Sequence, residues 1–323
     1  AEMKQLVCKV LSAVILGLAG SGGVAAAPQT YRMIVGYPPG GGGDNMVRVL
    51  AQALAIEMKT PFVVENRPGA GGAIAASYVK TAPADGSIIM FVNQHVMGTL
   101  PLTMKAPPYD PIKDFQSIGQ ISATRNAIVI PANPAIRSFN DWIASARSNP
   151  AQRLYGVPSP GTPPEFLGFK LGRELKIDLS SVPYKGNSPM IVELLGGQLQ
   201  VGITTLPDLL QYHQAGRLRV LAVTGKNRDP SAPDVPTLGE LGYANFEGLS
   251  WSGLVVRAGT PAEQVKRLEA ALANVMAQPK IREQFETSGN PLVYGNAEEL
   301  QKQINEGMQF WRDLIKTSGF TLN

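Results

Sequence analysis

Cysteine and histidine are scarce in this sequence. It contains one cysteine, Cys8, and two histidines, His95 and His213, among 323 residues. Zinc sites of the Cys/His type, iron–sulfur clusters and disulfide frameworks each need several such residues at defined spacings. The scarcity excludes these centres and also a cysteine nucleophile that depends on several partners. We therefore expect no metal and no cofactor.

A large excess of one charge is also missing. The 29 basic and 25 acidic residues give a net charge of +4, and the basic residues are scattered along the chain. Nucleic-acid-binding domains concentrate a larger basic excess on one face, so we predict no nucleic-acid partner. The composition, 44% hydrophobic and 17% charged, is typical of a globular chain. The length suits one large domain or two ordinary ones.

Strongly apolar sequence is confined to the N-terminus. Lys4 and Lys9 precede the apolar run 10–18, and small residues follow as far as Ala27. This order is typical of a secretory signal peptide, and the run is shorter than the roughly 20 residues that span a bilayer. We predict that residues 1–27, including a cloning remnant before Met3, are removed and that the mature chain, without Cys8, is exported. The alternative for this run is a buried core helix.

Short apolar runs alternate with amphipathic segments in the rest of the chain. The runs end in turn residues, as buried strands do. Strands are predicted at 31–37, 62–65, 88–93, 128–131, 154–157, 182–184, 201–204 and 218–224. This alternation predicts two consecutive α/β units of the doubly wound kind, each of about 100 residues.

The predicted helices have recognisable starts. Asp44 is placed as the cap of a first helix, whose apolar stripe is Val47, Leu50, Leu54 and Met58. Ser138 with Asp141 resembles a capping box. Thr260, followed by Pro261, is predicted to cap a helix that runs to about residue 277. Asn296 is predicted to cap the last helix, whose core stripe is Leu300, Ile304, Met308, Trp311 and Ile315.

A glycine-rich loop at 38–43 follows the first predicted strand. Four glycines before a helix N-terminus expose backbone N–H groups, which favour an anion. A dinucleotide fingerprint would need a further glycine where Asn45 or Met46 stands, and a P-loop would need a lysine after the glycines. The sequence favours the binding of a carboxylate or a similar small anion at this loop. The alternative is that the loop has a packing role alone. The predicted contacts here are Tyr37, Pro38, Gly40, Gly41, Gly42, Gly43 and Asp44.

A proline-rich loop at 158–164 occupies the matching place in the second unit. Ser159, Gly161 and Thr162 lie between its prolines, which would hold their hydroxyl groups and amides in position. Ser159 does not lie in a Gly-x-Ser-x-Gly sequence, so a nucleophile elbow is not supported. Asn93, Gln94 and His95 follow a strand and are a plausible pocket edge. Trp251 is either a core residue or a pocket residue between the second unit and the helical C-terminus.

Several short motifs carry a family resemblance, and their order and spacing are more specific than any one of them. They are YPPGG at 37–41, ENRPGAGG at 65–72, DG at 85–86, YDPIKDF at 109–115, PYKG at 183–186, AGRLR at 215–219, WSGL at 251–254 and GTP at 259–261. The chain resembles the Bug-type solute receptors of the tripartite tricarboxylate transporter (TTT) family over nearly its whole mature length.

The resemblance implies a two-lobed periplasmic binding protein, similar to type II, in which each lobe is a mixed, mostly parallel sheet flanked by helices. Lobe 1 would hold 28–123 and 252–323, and lobe 2 would hold 124–251, with hinge crossings near 122–128 and 248–256. It implies a monomeric, non-enzymatic receptor that closes around a small organic carboxylate, either a dicarboxylate or an aromatic carboxylate. The receptor would then pass the ligand to TTT membrane subunits. Tyr184, Thr204, Thr205 and Trp251 complete the predicted ligand contacts.

The chain departs from the family pattern in both units. It has Glu165 where such receptors often have histidine, and Thr204 and Thr205 where many have aspartate. Thr204 offers a neutral hydrogen bond and cannot pair with an ammonium group. We therefore expect a ligand without an ammonium group, for example succinate bound more tightly than aspartate. An exported α/β hydrolase or transferase that acts through Ser159 or a carboxylate is the alternative function.

Overall fold

The computed structural model describes residues 30–248, 250–287 and 290–320. The predicted signal peptide and Cys8 lie outside these residues. No helix within these three ranges combines the length and the apolar character needed to span a membrane. The described residues form two mixed β-sheets with helices packed on them.

The first sheet has six strands in the order β11-β4-β10-β3-β1-β2. They are β1 (Tyr31–Val35), β2 (Phe62–Asn66), β3 (Ile88–Asn93), β4 (Phe115–Thr124), β10 (Ser250–Arg257) and β11 (Leu292–Gly295). Strand β1 is parallel to β2 and β3, whereas β10 is antiparallel to β3 and β4. Apolar residues dominate β1 and β3 because both faces of these central strands are covered.

Helices from both ends of the chain cover this sheet. They are α1 (Gly42–Met58), α2 (Ala73–Thr81), α3 (Leu100–Thr103), α8 (Ala262–Met276), α9 (Pro279–Thr287) and α10 (Ala297–Ser318). The stripe predicted on α1, Val47, Leu50, Leu54 and Met58, is buried against the sheet and α8. A 3-10 turn at Ala70–Gly72 precedes α2, and a π-helical turn at His95–Thr99 precedes α3.

The second sheet has five strands in the order β7-β6-β8-β5-β9. They are β5 (Asn126–Pro131), β6 (Leu154–Val157), β7 (Ser180–Pro183), β8 (Val201–Thr205) and β9 (Leu218–Val223). Its helices are α4 (Phe139–Ser148), α5 (Pro163–Leu175), α6 (Asn187–Gly196) and α7 (Leu206–Gln214), and a 3-10 turn spans Pro150–Arg153. The predicted capping box of Ser138 and Asp141 is present at α4.

Three segments connect the two sheets. Arg125 alone separates β4 from β5, within the crossing predicted at 122–128. The return passes through the segment after β9, and β10 belongs entirely to the first sheet. The third connection is α10, because Leu300 packs in the first core while Trp311 packs in the second. The rings of Trp311 and Phe166 lie 6.4 Å apart.

Several local predictions need correction. Asp44 is not the cap of α1, because Gly41 is its N-cap and the helix begins at Gly42. Thr260 does not cap α8, since its hydroxyl donates to the Arg257 carbonyl and Pro261 occupies the cap. The cap predicted at Asn296 is confirmed, and the predicted stripe of that helix is buried.

The sheets contain more antiparallel pairing than the prediction of mostly parallel sheets implied. Among the described residues, four of the nine strand pairings are parallel and five are antiparallel. Four of the five antiparallel pairings involve β5 or β10, which are the first strands after the chain passes from one sheet to the other. The two-lobed α/β architecture itself is as predicted.

Candidate functional site

A large cleft lies between the two sheets, with a volume of about 1320 Å³. Loops and helix N-termini that follow the strands of both sheets form its walls, as is usual for ligand sites in α/β proteins. The structure brings most of the predicted contacts to this cleft. They are Tyr37, Pro38, Gly41, Gly42, Gly43, Asp44, Asn93, Gln94, His95, Ser159, Thr162, Tyr184, Thr204, Thr205 and Trp251. Gly40 and Gly161 are not among the lining residues described.

Gly40 and Asp44 shape the first loop. The Gly40 N–H donates to Asp44 Oδ2 over 2.9 Å, and Arg48 Nε donates to the same oxygen over 2.8 Å. Asn66 Nδ2 donates to Asp44 Oδ1 over 2.9 Å. Burial opposes the ionised form of Asp44, but these hydrogen bonds outweigh it and hold the pKa of that carboxyl below its usual range. The Asp44 carboxylate is therefore occupied by its own loop and helix.

Gly161 and Glu165 repeat this arrangement in the second loop. The Gly161 N–H donates to Glu165 Oε2 over 2.6 Å, and Ser181 Oγ donates to Oε1 over 2.5 Å. Gly40 and Gly161 both have positive φ, 88° and 71°, a conformation that glycine adopts without steric cost. In each loop an acidic residue four positions after the glycine thus fixes the turn. Both glycine N–H groups are therefore donated within their own loops.

The donors that remain in the first loop come from the start of α1. Gly41 has φ −75°, so the positive φ of this loop belongs to Gly40. A Cβ on Gly43 would lie 2.7 Å from the Phe91 ring, whereas a Cβ on Gly41 would meet no atom closer than 3.9 Å. Gly43 is thus required for packing, and Gly41 has room for a side chain at the cleft. The backbone N–H groups in the first turn of α1 have no partner within the helix.

Asn93 and His95 line the cleft, and His95 interacts with residues on both of its sides. Asn93 Nδ2 donates to the Tyr37 hydroxyl over 2.9 Å, and burial raises the pKa of Tyr37 to about 12, an effect that this bond opposes. His95 Nδ1 lies 2.7 Å from Thr99 Oγ1, and the ring also interacts with the Gly161 backbone of the opposite lobe. Burial lowers the pKa of His95 to about 4, and the contact with Gly161 opposes this shift. His95 is therefore neutral at physiological pH.

The second wall carries a chain of side-chain hydrogen bonds that the sequence did not reveal. Thr204 Oγ1 donates to Asn187 Oδ1 over 2.7 Å, and Asn187 Nδ2 donates to Asp208 Oδ2 over 2.7 Å. Thr205 Oγ1 donates to the same Asp208 oxygen over 2.5 Å. Burial raises the pKa of Asp208, and the bond from Thr205 opposes this shift. All four residues line the cleft.

Other lining residues set the charge and polarity of this wall. Among the described lining residues, the charged side chains are Asp44, Lys185 and Asp208. Tyr184 donates its hydroxyl to Glu193 over 2.5 Å and presents its ring to the cleft. Apolar residues of α6, including Val192, which is 66% exposed, continue the wall.

Trp251 has both of the roles considered for it. It is 5% exposed and packs in the core on β10, and it also lines the cleft. Its neighbour Ser250 accepts a hydrogen bond from Asn126 Nδ2 over 3.1 Å, beside the crossing at Arg125. Trp251 is thus placed where a change in the cleft would alter its surroundings.

The arrangement offers little for catalysis. The residues that the structure describes contain no group of three or more His, Cys, Asp or Glu side chains that could hold a metal. Within the same residues, the Ser159 hydroxyl is not hydrogen-bonded to any base, and His95 is engaged with Thr99. What the cleft supplies is fixed donors and acceptors, which suit binding.

The polar and charged lining residues missed by sequence reasoning include Lys185, Asn187, Ser188 and Asp208. Asn187 and Ser188 begin α6, and Asp208 lies in the first turn of α7. The sequence shows these helix starts. The signal that could have identified these residues as cleft residues was their place at a helix N-terminus that follows a strand. Only the packing of α6 beside α7 shows that they share one wall.

The sequence of this chain matches a known family. Residues 46–320 match the family described as the tripartite tricarboxylate transporter family receptor, TctC. This chain belongs to that family. The resemblance inferred from the short motifs is thereby confirmed.

Individual relatives of this TctC-family receptor agree in length and fold. Protein BugT of Bordetella pertussis is 28% identical over 322 residues, which are 97% of this chain and 98% of that protein. The structure of the periplasmic binding protein BugD has a TM-score of 0.77 at 28% identity and covers 92% of this chain and 99% of its own. The structure of R. palustris Rpa4515 with adipate has a TM-score of 0.79 at 28% identity and covers 92% and 99%.

Proposed function

We propose that this TctC-family receptor binds a small carboxylate, a dicarboxylate or an aromatic carboxylate, in the cleft between its lobes. The observation that carries the proposal is the cleft wall at the start of α1, where backbone N–H groups and the helix dipole meet a cavity enclosed by both lobes. The adipate in the structure of the relative Rpa4515 supports a carboxylate as the ligand.

The receptor would act in the periplasm after export through a cleavable signal peptide at 1–27, as a monomer. It would then deliver the carboxylate to TTT membrane subunits. The proposed lobes are 28–123 with 252–323 and 124–251, and the end of α10 packs against the second of these. Closure of the lobes would shield the ligand from water.

Isothermal titration of the mature chain with small carboxylates tests the proposal. Adipate, succinate and benzoate are the first probes, and we expect saturable 1:1 binding of at least one of them. A ligand present at 100 times its dissociation constant should add about 2.7 kcal/mol to the free energy of unfolding. Absence of both effects with a wide panel of carboxylates would contradict the proposal.

A substitution in the first loop localises the site. Gly41→Val should weaken binding at least tenfold with little loss of stability, because its side chain would enter the cleft without a clash in the protein. Gly239→Val is the matched control, since Gly239 has no positive φ, a Cβ there would meet no atom closer than 3.7 Å, and the residue does not line the cleft. Equal affinities of the Gly41→Val variant and the wild type would remove this loop from the site.

The hydrolase or transferase alternative predicts turnover. We propose that the receptor has no enzymatic activity, so nuclear magnetic resonance of a ligand incubated with the protein should show an unchanged compound. Conversion of a bound carboxylate, abolished by Ser159→Ala, would favour the alternative.

A further inference from the structure

Asp208 is a carboxylate in the cleft without a cationic partner. It is the third residue of α7, it is partly exposed and it lines the cleft. None of the ion pairs formed within residues 30–248, 250–287 and 290–320 includes it. Lys185, the other charged residue on this wall, is exposed and is not within ion-pair distance of it. A partly buried carboxylate of this kind is stabilised by a donor that a ligand brings.

The hydrogen bonds around Asp208 determine what its wall offers to a ligand. Asn187 Nδ2 and Thr205 Oγ1 both donate to Oδ2, at 2.7 and 2.5 Å. No hydrogen bond from another described residue ends on Oδ1. The Thr204 hydroxyl proton is already donated to Asn187 Oδ1. The hydroxyl protons of Thr204 and Thr205 are therefore used within the wall, and Asp208 Oδ1 is left as a hydrogen-bond acceptor among the described residues.

The two walls of the cleft, at the start of α1 and around Asp208, have complementary hydrogen-bonding groups. The start of α1 presents backbone N–H donors, and Asp208 presents a carboxylate oxygen. A ligand that satisfies both walls has a carboxylate at one place and an N–H or O–H donor at another. A plain dicarboxylate that reached Asp208 would place two negative charges side by side, which is unfavourable in a partly desolvated site. A site with a polar group of this kind discriminates against an analogue that leaves the group unpaired.

We propose that Asp208 is a specificity-determining residue that makes this receptor prefer carboxylates bearing an ammonium or hydroxyl group. The inference rests on the proposed carboxylate-binding function. It reverses the expectation, drawn from Thr204 alone, of a ligand without an ammonium group. Asp208 lies in the same wall as Thr204, and the Thr204 hydroxyl already donates to Asn187.

Titration calorimetry with matched acids tests this proposal. The series contains plain, hydroxyl-substituted and amino-substituted dicarboxylates of four, five and six carbons, such as succinate, malate and aspartate. At the chain length that binds best, the wild type should bind the amino or hydroxyl acid at least tenfold more tightly than the plain acid. Asp208→Asn keeps the size of the side chain and removes its charge, so it should reduce the preference for the amino acid at least tenfold. Asp234→Asn, a change at a carboxylate that is 70% exposed and does not line the cleft, is the control and should leave every affinity unchanged.

The outcomes separate this inference from the function on which it rests. Plain acids that bind as tightly as, or more tightly than, their substituted analogues would overturn the inference and leave the proposed function intact. An unchanged preference in a folded Asp208→Asn variant would also overturn it. If that variant does not fold, the ranking of the wild type decides. If no acid of the series binds, the proposed function fails and the inference fails with it.

Discussion

Protonation of His95 is expected to make the stability of this receptor depend on pH. The ring is enclosed between the Gly71 backbone, Thr99 and the Gly161 backbone of the other lobe. Burial lowers the pKa of His95 from 6.5 to about 4 in the folded chain. The unfolded chain therefore binds a proton on this residue at a higher pH than the folded chain does. Because the unfolded state binds more protons in this range, the contribution of His95 to stability falls as pH decreases from about 6.5 to about 4, and this contribution is constant below that.

The size of the effect follows from the two pKa values. Each unit of separation corresponds to roughly 1.4 kcal/mol, so the full loss is about 3 kcal/mol. At pH 5 the contribution of His95 should already be reduced by about 2 kcal/mol relative to pH 8. Replacement by glutamine, which does not titrate, removes this dependence and leaves all other ionisable groups in place.

The assay is urea unfolding of the wild type and the His95→Gln variant at several pH values between 4 and 8. The difference in the free energy of unfolding, wild type minus variant, should fall by about 2 kcal/mol from pH 8 to pH 5. All other ionisable groups are common to both proteins, so their contributions cancel in this difference. A difference that stays constant over this range would refute the claim that His95 is neutral because of its burial.

Three further predictions concern packing, capping and motion. Leu50→Ala should cost about 2–5 kcal/mol of stability because Leu50 is fully buried, whereas Ile56→Ala on the same helix, 80% exposed, should change stability by less than about 0.5 kcal/mol, both by urea melts. Asn296→Ala removes the side chain that caps α10 and should lower the free energy of unfolding by about 0.5–2 kcal/mol, and an unchanged midpoint would contradict the role of the cap. A saturating carboxylate should change Trp251 fluorescence and reduce the radius of gyration in small-angle scattering, since closure alters the cleft that Trp251 lines. The same radius with and without bound ligand would argue against closure.

Features that depend on near neighbours in the chain could be predicted well. The caps at Ser138 and Asn296 are confirmed, as is the stripe on α1, because caps and stripes are set by residues three or four positions apart. The predicted cap at Thr260 is wrong because its hydroxyl found another local acceptor, the Arg257 carbonyl. Strands β4, β10 and β11 were not predicted as strands, although they pair with one another in the first sheet.

The candidate site was predicted as a set of loops, and the structure changed the roles of several residues in it. Gly40 and Gly161 were predicted as ligand contacts, but their N–H groups donate to Asp44 and Glu165. The sequence shows that an acidic residue lies four positions after each of these glycines. It does not show that the acidic side chain turns back to accept from the glycine N–H group. Which of the lining residues contacts the ligand stays a prediction.

The sequence by itself determined most of the strands and helices, the two glycine- and proline-rich loops and the family, and it predicts an export signal. These properties follow from composition, local spacing and short motifs. Only the tertiary structure decided which strands pair antiparallel, that α10 packs on both cores, and that Asp208 shares one wall with Thr204 and Asn187. The reason is physical: strand pairing and a shared wall depend on which helices and strands pack together across long stretches of chain, and a local pattern contains no information about that partner.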